Sequence, residues 1–142
     1  MDTLVLSSTL RSLISAIHKG LRKQVYSTKT YSMTEMDTIG YLFRSPRLLP
    51  SELAALTKIK TQSMSQILKK MENQGVIART PSTEDKRKVY ISLTPSGKKM
   101  VVKYKYEKDE WLKGVIEKSL TDKEKEILEK ALPVLKKLTG NK

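Results

Sequence analysis

The sequence predicts a mainly helical domain that carries one small β-hairpin. Over most of its 142 residues, apolar side chains recur at three- and four-residue spacing, which is typical of amphipathic helices. Between residues 76 and 93 the spacing changes to alternation, which is typical of short strands. No internal repeat or low-complexity linker divides the chain, and its length suits a single domain.

The composition excludes several classes of function. The chain has no cysteine, which excludes disulfides, thiolate zinc sites and cysteine nucleophiles, and its one histidine cannot form an ordinary metal site alone. We also find no phosphate-binding glycine loop or nucleophile elbow, so we expect neither an enzyme nor a cofactor. Because Asp2 and the polar residues that follow it argue against a signal peptide or membrane span, we expect a cytoplasmic protein without a membrane partner.

The positive charge is concentrated in the middle of the chain. Residues 44–105 contain fourteen Lys and Arg against four Asp and Glu, which leaves +10 of the chain's net +13. A phosphate backbone attracts such a segment and releases counterions when it binds. The central segment is therefore expected to bind a polyanion.

Three helices are predicted in the first part of the chain. The first runs from Leu4 to Val25 and carries an aliphatic stripe. The second begins at Thr34, which has the spacing of a capping box with Asp37, and continues through Phe43. Pro50 suits the first turn of a short third helix, where its missing N–H costs nothing.

The fourth helix, Thr61 to Asn73, has two different faces. Met64, Ile67, Leu68 and Met71 form an apolar stripe, and Gly75 fits the left-handed position that ends such a helix. The other face carries short polar side chains near the N-terminus, which is what base edges in a DNA major groove require. The predicted major-groove contacts are Thr61, Gln62, Ser63, Ser65 and Gln66, and the predicted phosphate contacts are Lys60, Lys69 and Lys70.

A basic hairpin follows this helix. Residues 76–78 and 89–93 read as its strands, and the loop PSTEDKRK, residues 81–88, joins them. The loop places Asp85, Lys86, Arg87 and Lys88 at a tip from which a guanidinium can enter a narrow minor groove. Asp85 could orient Arg87 or bond its own backbone in an Asx-turn, and the sequence leaves both roles open.

Two long helices complete the chain. Thr94 and Pro95 supply an N-cap and an N1 proline for a helix to about Ile116, and Thr121 with Glu124 forms a capping box for the last one. The terminal helices carry more aliphatic surface than one small domain needs, so a subunit interface is predicted there. Its predicted residues are Leu6, Leu10, Leu13, Ile127, Leu128, Leu132 and Leu135.

The central stretch resembles the MarR family of winged-helix transcriptional regulators. The resemblance rests on ELAALTKIKTQSMSQILKKMENQGVIAR followed by EDKRKVYISLTPSG. Its most specific parts are Met71-Glu72-x-x-Gly75-Val76-Ile77-x-Arg79, Asp85-x-Arg87 and Leu93-Thr94-x-x-Gly97. It implies a winged helix-turn-helix core at residues 33–105, within a single domain of residues 1–142. It also implies that residues 1–32 and 106–142 form a helical dimerisation region.

The resemblance also implies a mechanism. In such proteins the fourth helix is the recognition helix of the major groove, and the wing arginine, here Arg87 with Asp85 as its companion, reaches the minor groove. Members often respond to a small phenolic or aromatic acid between the dimerisation region and the winged helix. Four aromatic residues are candidates for this site: Tyr26, Tyr41, Tyr104 and Trp111. The absence of cysteine excludes the peroxide-sensing branch, and a single histidine argues against the zinc-sensing branch.

We therefore expect a homodimeric, sequence-specific repressor of a pseudopalindromic operator in double-stranded DNA, relieved by a small aromatic effector. The sequence leaves two alternatives open. One is a sequence-tolerant, chromatin-like DNA-binding protein, which the central charge permits. The other is a winged helix used for contacts with proteins.

Overall fold

The computed structural model describes residues 1–24 and 31–140 and contains six α-helices and a two-stranded antiparallel sheet within them. The elements in chain order are α1 (Thr3–Gln24), α2 (Met33–Arg44), α3 (Pro50–Thr57), α4 (Thr61–Asn73), β1 (Ile77–Pro81), β2 (Val89–Leu93), α5 (Pro95–Ser119) and α6 (Asp122–Lys136). This confirms the predicted fold class. The predicted end of the first helix at Val25 lies outside the described residues.

The capping box predicted at Thr34 with Asp37 is wrong, because the box lies two residues earlier in the chain. The observed N-cap of α2 is Ser32, whose Oγ accepts a hydrogen bond from the Glu35 amide at 3.1 Å. The Ser32 amide donates to Glu35 Oε1 at 2.8 Å, which completes the box. Glutamate has the reach to return to the N-cap amide, whereas the shorter Asp37 is placed in the next turn.

The hydrophobic core lies between α2, α3, α4, the sheet and the first turns of α5. Its fully buried members are Ile39, Leu53, Met64, Leu68, Met71 and Ile91. Met64, Leu68 and Met71 are the predicted stripe of α4, and the half-buried Ile67 packs against the same cluster. The apolar face of α4 is therefore buried in the core, and its polar face is exposed to solvent.

The sheet is longer than predicted at one end. β1 pairs with β2 from Ile77 opposite Leu93 to Pro81 opposite Val89, so Pro81 ends a strand although the sequence places it in the loop. A proline is tolerated at a strand end because its missing N–H breaks no internal ladder bond. Leu48 forms an isolated β-bridge with β2: its amide donates to the Ile91 carbonyl at 2.9 Å, and its carbonyl accepts a hydrogen bond from the Ile91 amide at 2.7 Å.

Two glycines allow the chain to turn from α4 into the hairpin and from the hairpin into α5. Gly75 has φ +75°, which a left-handed turn requires, and its carbonyl accepts a hydrogen bond from Thr94 Oγ1 at 2.6 Å. Thr94 also caps α5 through the Gly97 amide at 3.0 Å. Gly97 lies directly against the main-chain oxygen of Val76, where no side chain fits. The start of α5 is therefore locked to the start of the wing.

We expect Gly97→Ala to destabilise the protein, because a methyl group there would overlap the Val76 carbonyl oxygen, which cannot move without shifting the backbone. Overpacking of this kind costs about 1–3 kcal/mol. The measurement is the free energy of unfolding in urea at one protein concentration. Gly114→Ala is the control: this exposed glycine of the same helix has open space at Cβ. That change should stabilise the helix by up to about 1 kcal/mol. Equal effects of the two substitutions would contradict the close approach.

Candidate nucleic-acid interface

The polar face of α4 is fully presented to solvent. All five residues predicted to contact the major groove, Thr61, Gln62, Ser63, Ser65 and Gln66, are exposed. They occupy the first two turns, which follow directly from α3 through a tight turn in which Lys58 adopts a left-handed φ of 59°. The interleaved Met64 is completely buried. The core therefore fixes the direction in which the polar side chains point.

The three lysines predicted to contact phosphate differ in their surroundings. All three are exposed, but only Lys70 has a charged partner among the described residues. Lys70, in the last turn of α4, places its Nζ 2.8 Å from Glu35 Oε2, and the Glu35 side chain is only 8% exposed. The structure thus joins one predicted DNA contact to a buried carboxylate of α2, a link between residues 35 apart that no local sequence pattern signals.

The ionisation of Glu35 reflects two opposing effects. Burial favours the protonated form, but hydrogen bonds from Lys70 and from Ser32 outweigh it, so the pKa of the Glu35 carboxyl is lowered from its ordinary value of 4.5. Glu35 is consequently a carboxylate at neutral pH. The Tyr31 ring lies 5.8 Å from Lys70 Nζ, and the pKa of its hydroxyl is raised by burial and by the nearby Glu35 charge.

The wing tip is organised by one aspartate. Asp85 Oδ1 accepts hydrogen bonds from the Arg87 amide at 3.0 Å and from Arg87 Nε at 3.2 Å, and Oδ2 accepts one from Nη2 at 3.3 Å. Asp85 therefore fills both roles that the sequence leaves open. The guanidinium bonds lower the pKa of the Asp85 carboxyl below its ordinary value. Arg87 itself remains 90% exposed, so its charge is oriented but still accessible.

The base of the wing contains a contact that sequence reasoning missed. The guanidinium of Arg47, in the segment between α2 and α3, lies 3.9 Å from the centre of the Tyr90 ring on β2. The neighbouring Leu48 holds the same strand through its two main-chain bonds to Ile91. Both contacts depend on the tertiary fold, and no spacing in the sequence signals them. Together they attach the wing to the helical body.

A cleft of about 380 Å³ lies between α1, α2 and α5. Two of the four predicted ligand residues, Tyr41 and Tyr104, line it. Trp111 does not line this cleft and packs on α1 instead, where a Cβ on Gly20 would approach its ring to 2.7 Å. Tyr26 lies outside the described residues. Cations cover three rings of the cleft: Arg44 over Tyr41 at 5.1 Å, Lys105 over Phe43 at 4.3 Å and Lys108 over Tyr104 at 3.9 Å.

The terminal helices present aliphatic side chains to solvent. Of the residues predicted at a subunit interface, Leu6, Leu13, Ile127, Leu128 and Leu132 are exposed, whereas Leu10 and Leu135 are half-buried. None of the residues of α6 is buried. The apolar surface of these helices is therefore unused within one chain.

Among residues 1–24 and 31–140, no group of three or more His, Asp and Glu is placed to hold a metal ion. None of the described helices combines the length and the apolar composition needed to cross a membrane.

Comparisons with known proteins agree with this architecture. A model of the MarR family matches residues 30–88. An HTH-type transcriptional regulator of Mycobacterium bovis is 24% identical over 92% of this chain and 90% of that protein. The homoprotocatechuate degradative operon repressor of Escherichia coli is 35% identical over 49% of this chain and 48% of that protein. A mutant of MepR from Staphylococcus aureus, solved bound to an oligodeoxyribonucleotide, shares the fold. Its TM-score is 0.73 at 22% identity, over 94% of this chain and 98% of that one.

The low pKa of Glu35 predicts a pH-dependent contribution to stability. A carboxyl whose folded-state pKa is lowered stabilises the fold above its unfolded pKa, and this stabilisation disappears as the pH falls through the folded-state value. The difference in unfolding free energy between wild type and Glu35→Gln should therefore be constant from pH 7 to about 5 and shrink below 4.5. Urea unfolding across this range measures it. A difference that stays constant down to pH 3 would contradict the assignment.

Proposed function

The chain belongs to the MarR family of transcriptional regulators, which are not enzymes, and we propose that it is a homodimeric repressor that reads a pseudopalindromic operator in double-stranded DNA. The observation that carries this proposal is the polar, exposed N-terminal face of α4, backed by a buried stripe and accompanied by an oriented wing arginine. A helix so presented fits the major groove of B-DNA.

The division of contacts follows from side-chain chemistry. Gln62 and Gln66 pair with adenine edges, and Thr61, Ser63 and Ser65 bond several bases. Lys60 and Lys69 neutralise phosphates. At the wing, Arg87 enters the minor groove with Asp85 holding its guanidinium, while Lys86 and Lys88 flank it. Lys70 belongs to a separate category, because its ammonium is paired with Glu35.

The dimer is proposed from the unused apolar surface. Residues 1–32 and 106–142 form the dimerisation region, and residues 33–105 form the winged-helix core that it holds. Large patches of exposed aliphatic side chains are uncommon on monomers and mark association surfaces. A two-fold dimer predicts a pseudopalindromic operator, with half-sites about one helical turn, ~10 bp, apart.

The effector is proposed to be a small aromatic or phenolic acid that binds in the cleft between α1, α2 and α5 and relieves repression. The cleft volume of about 380 Å³ lies in the range of small-molecule sites. Arg44, Lys105 and Lys108 attract a carboxylate, and Tyr41 and Tyr104 supply aromatic surface. A transcriptional regulator acts where its DNA is, so a cytoplasmic location is part of the same proposal.

Footprinting on the DNA upstream of the protein's own gene tests the function, and we expect protection with dyad symmetry. Arg87→Ala tests the wing, and we expect this variant to lose about 1–3 kcal/mol of operator affinity, the scale of one well-placed arginine contact. Arg79→Ala is the matched control, because Arg79 lies on the same hairpin with its Nε 3.1 Å from Glu72. Protection without symmetry that excess competitor DNA abolishes would favour the sequence-tolerant alternative.

The dimer is tested by Ile127→Glu. Ile127 is 67% exposed within one chain, so a charge there leaves the protomer fold intact but opposes an apolar interface. Sedimentation velocity should show a shift from dimer to monomer and a parallel loss of operator binding. Lys123→Glu, on the exposed first turn of the same helix, is the control for charge alone. A variant that remains dimeric would place the interface elsewhere.

A further inference from the structure

Glu35 stands out because it is a buried charge. Its residue is 6% exposed, and the other buried polar side chain among the described residues, Thr38, is uncharged. Both carboxylate oxygens are used: Oε1 accepts the Ser32 amide at 2.8 Å, and Oε2 lies 2.8 Å from Lys70 Nζ. Burying an anion is costly unless it is paired and hydrogen-bonded. Lys70 is therefore the counter-ion that makes this burial tolerable.

The pair joins the recognition helix to the first turn of α2 through a polar contact that is separate from the apolar core. Met64, Leu68 and Met71 hold α4 by apolar packing, which is non-directional. The Glu35–Lys70 contact adds a directional bond in the last turn of α4, whereas the predicted base contacts lie in its first two turns. It also lies where three helices meet, because Arg22 of α1 donates a hydrogen bond to the Tyr31 carbonyl at 3.2 Å, next to the Ser32 cap.

We propose that Lys70 is a positioning residue, which acts through Glu35 to set the rotation and register of α4 and does not contribute a charge to DNA phosphate. This rests on the proposed reading of DNA by α4. Lys69 provides the contrast: it is the preceding residue of the same helix and is exposed, as Lys70 is, but it makes no ion pair with the described residues. A lysine already neutralised by a carboxylate adds little to counterion release, whereas an unpaired one adds a full contact.

The experiment measures dissociation constants of the full chain for the operator and for an unrelated duplex over a range of KCl concentrations, at a temperature where circular dichroism shows every variant folded. For Lys69→Gln we expect the slope of log K against log salt to fall by about 0.9 on both duplexes, with an unchanged ratio between them. For Lys70→Gln we expect an unchanged slope and a fall in the operator-to-unrelated ratio of roughly 5- to 50-fold, because misplaced base contacts cost specificity. Lys70→Arg keeps the charge and should restore the ratio.

Glu35→Gln removes the ion pair but leaves the Lys70 charge in place. It is the variant to measure if Lys70→Gln does not fold. It keeps the positive charge on α4, so a phosphate-binding Lys70 would leave affinity unchanged or raised. A positioning Lys70 would lower the ratio as Lys70→Gln does.

Three outcomes overturn the inference. One is a slope that falls by about 0.9 in Lys70→Gln with the ratio intact, which would make Lys70 a phosphate contact. Another is a variant that loses only stability and keeps both the slope and the ratio. The third is a Glu35→Gln protein that keeps or gains operator affinity. If the wild-type protein bound the operator and the unrelated duplex equally well, the proposed sequence-specific function would be contradicted. The salt slope of Lys70→Gln on the unrelated duplex would still show whether Lys70 contacts phosphate.

Discussion

The burial of one face of α4 is the constraint on which the rest of the structure depends. Met64, Leu68 and Met71 have no exposed surface, so this helix cannot rotate without exposing apolar area at about 25 cal/mol per Å². Its polar face is consequently aimed outward, and its end at Gly75 fixes where the hairpin begins. The Gly75, Thr94 and Gly97 contacts then place α5, so α4, the hairpin and α5 are fixed relative to one another.

Local chemistry made most of this fold predictable. The bounds of α4, the N1 prolines of α3 and α5, the Thr121–Glu124 box and the turn at Gly75 all follow from patterns within a few residues, and all are observed. What the sequence could not supply were contacts between distant residues. The cap of α2 was predicted at Thr34 but lies at Ser32, where Glu35 closes the capping box and also pairs with the distant Lys70. The positions of Arg47 on Tyr90 and of Trp111 beside Gly20 likewise require the assembled fold.

The net charge of +13 overstates the number of cationic side chains that are available to bind a polyanion. Arg44, Lys105 and Lys108 lie over aromatic rings of the cleft, Arg47 lies over Tyr90, and Lys70 neutralises Glu35. These cations have internal partners whose attraction competes with phosphate. Arg87 is also paired, but its partner Asp85 sits beside it and leaves the guanidinium almost fully exposed. Exposure distinguishes the two ion-paired cations: the Lys70 side chain is 47% exposed and that of its partner 8%, whereas the Arg87 side chain is 90% exposed and that of its partner 32%.

The segregation of the two faces of α4 has a consequence for how such a protein diversifies. The side chains that hold the helix and the side chains that face outward at Thr61, Gln62, Ser63, Ser65 and Gln66 share no position. Exposed helix positions away from special contacts usually change stability by less than about 0.5 kcal/mol when substituted. Under the proposed reading of DNA by α4, a duplicated copy of this chain could therefore acquire a new target sequence by a few substitutions on one side of this helix, while the fold stays stable at each step.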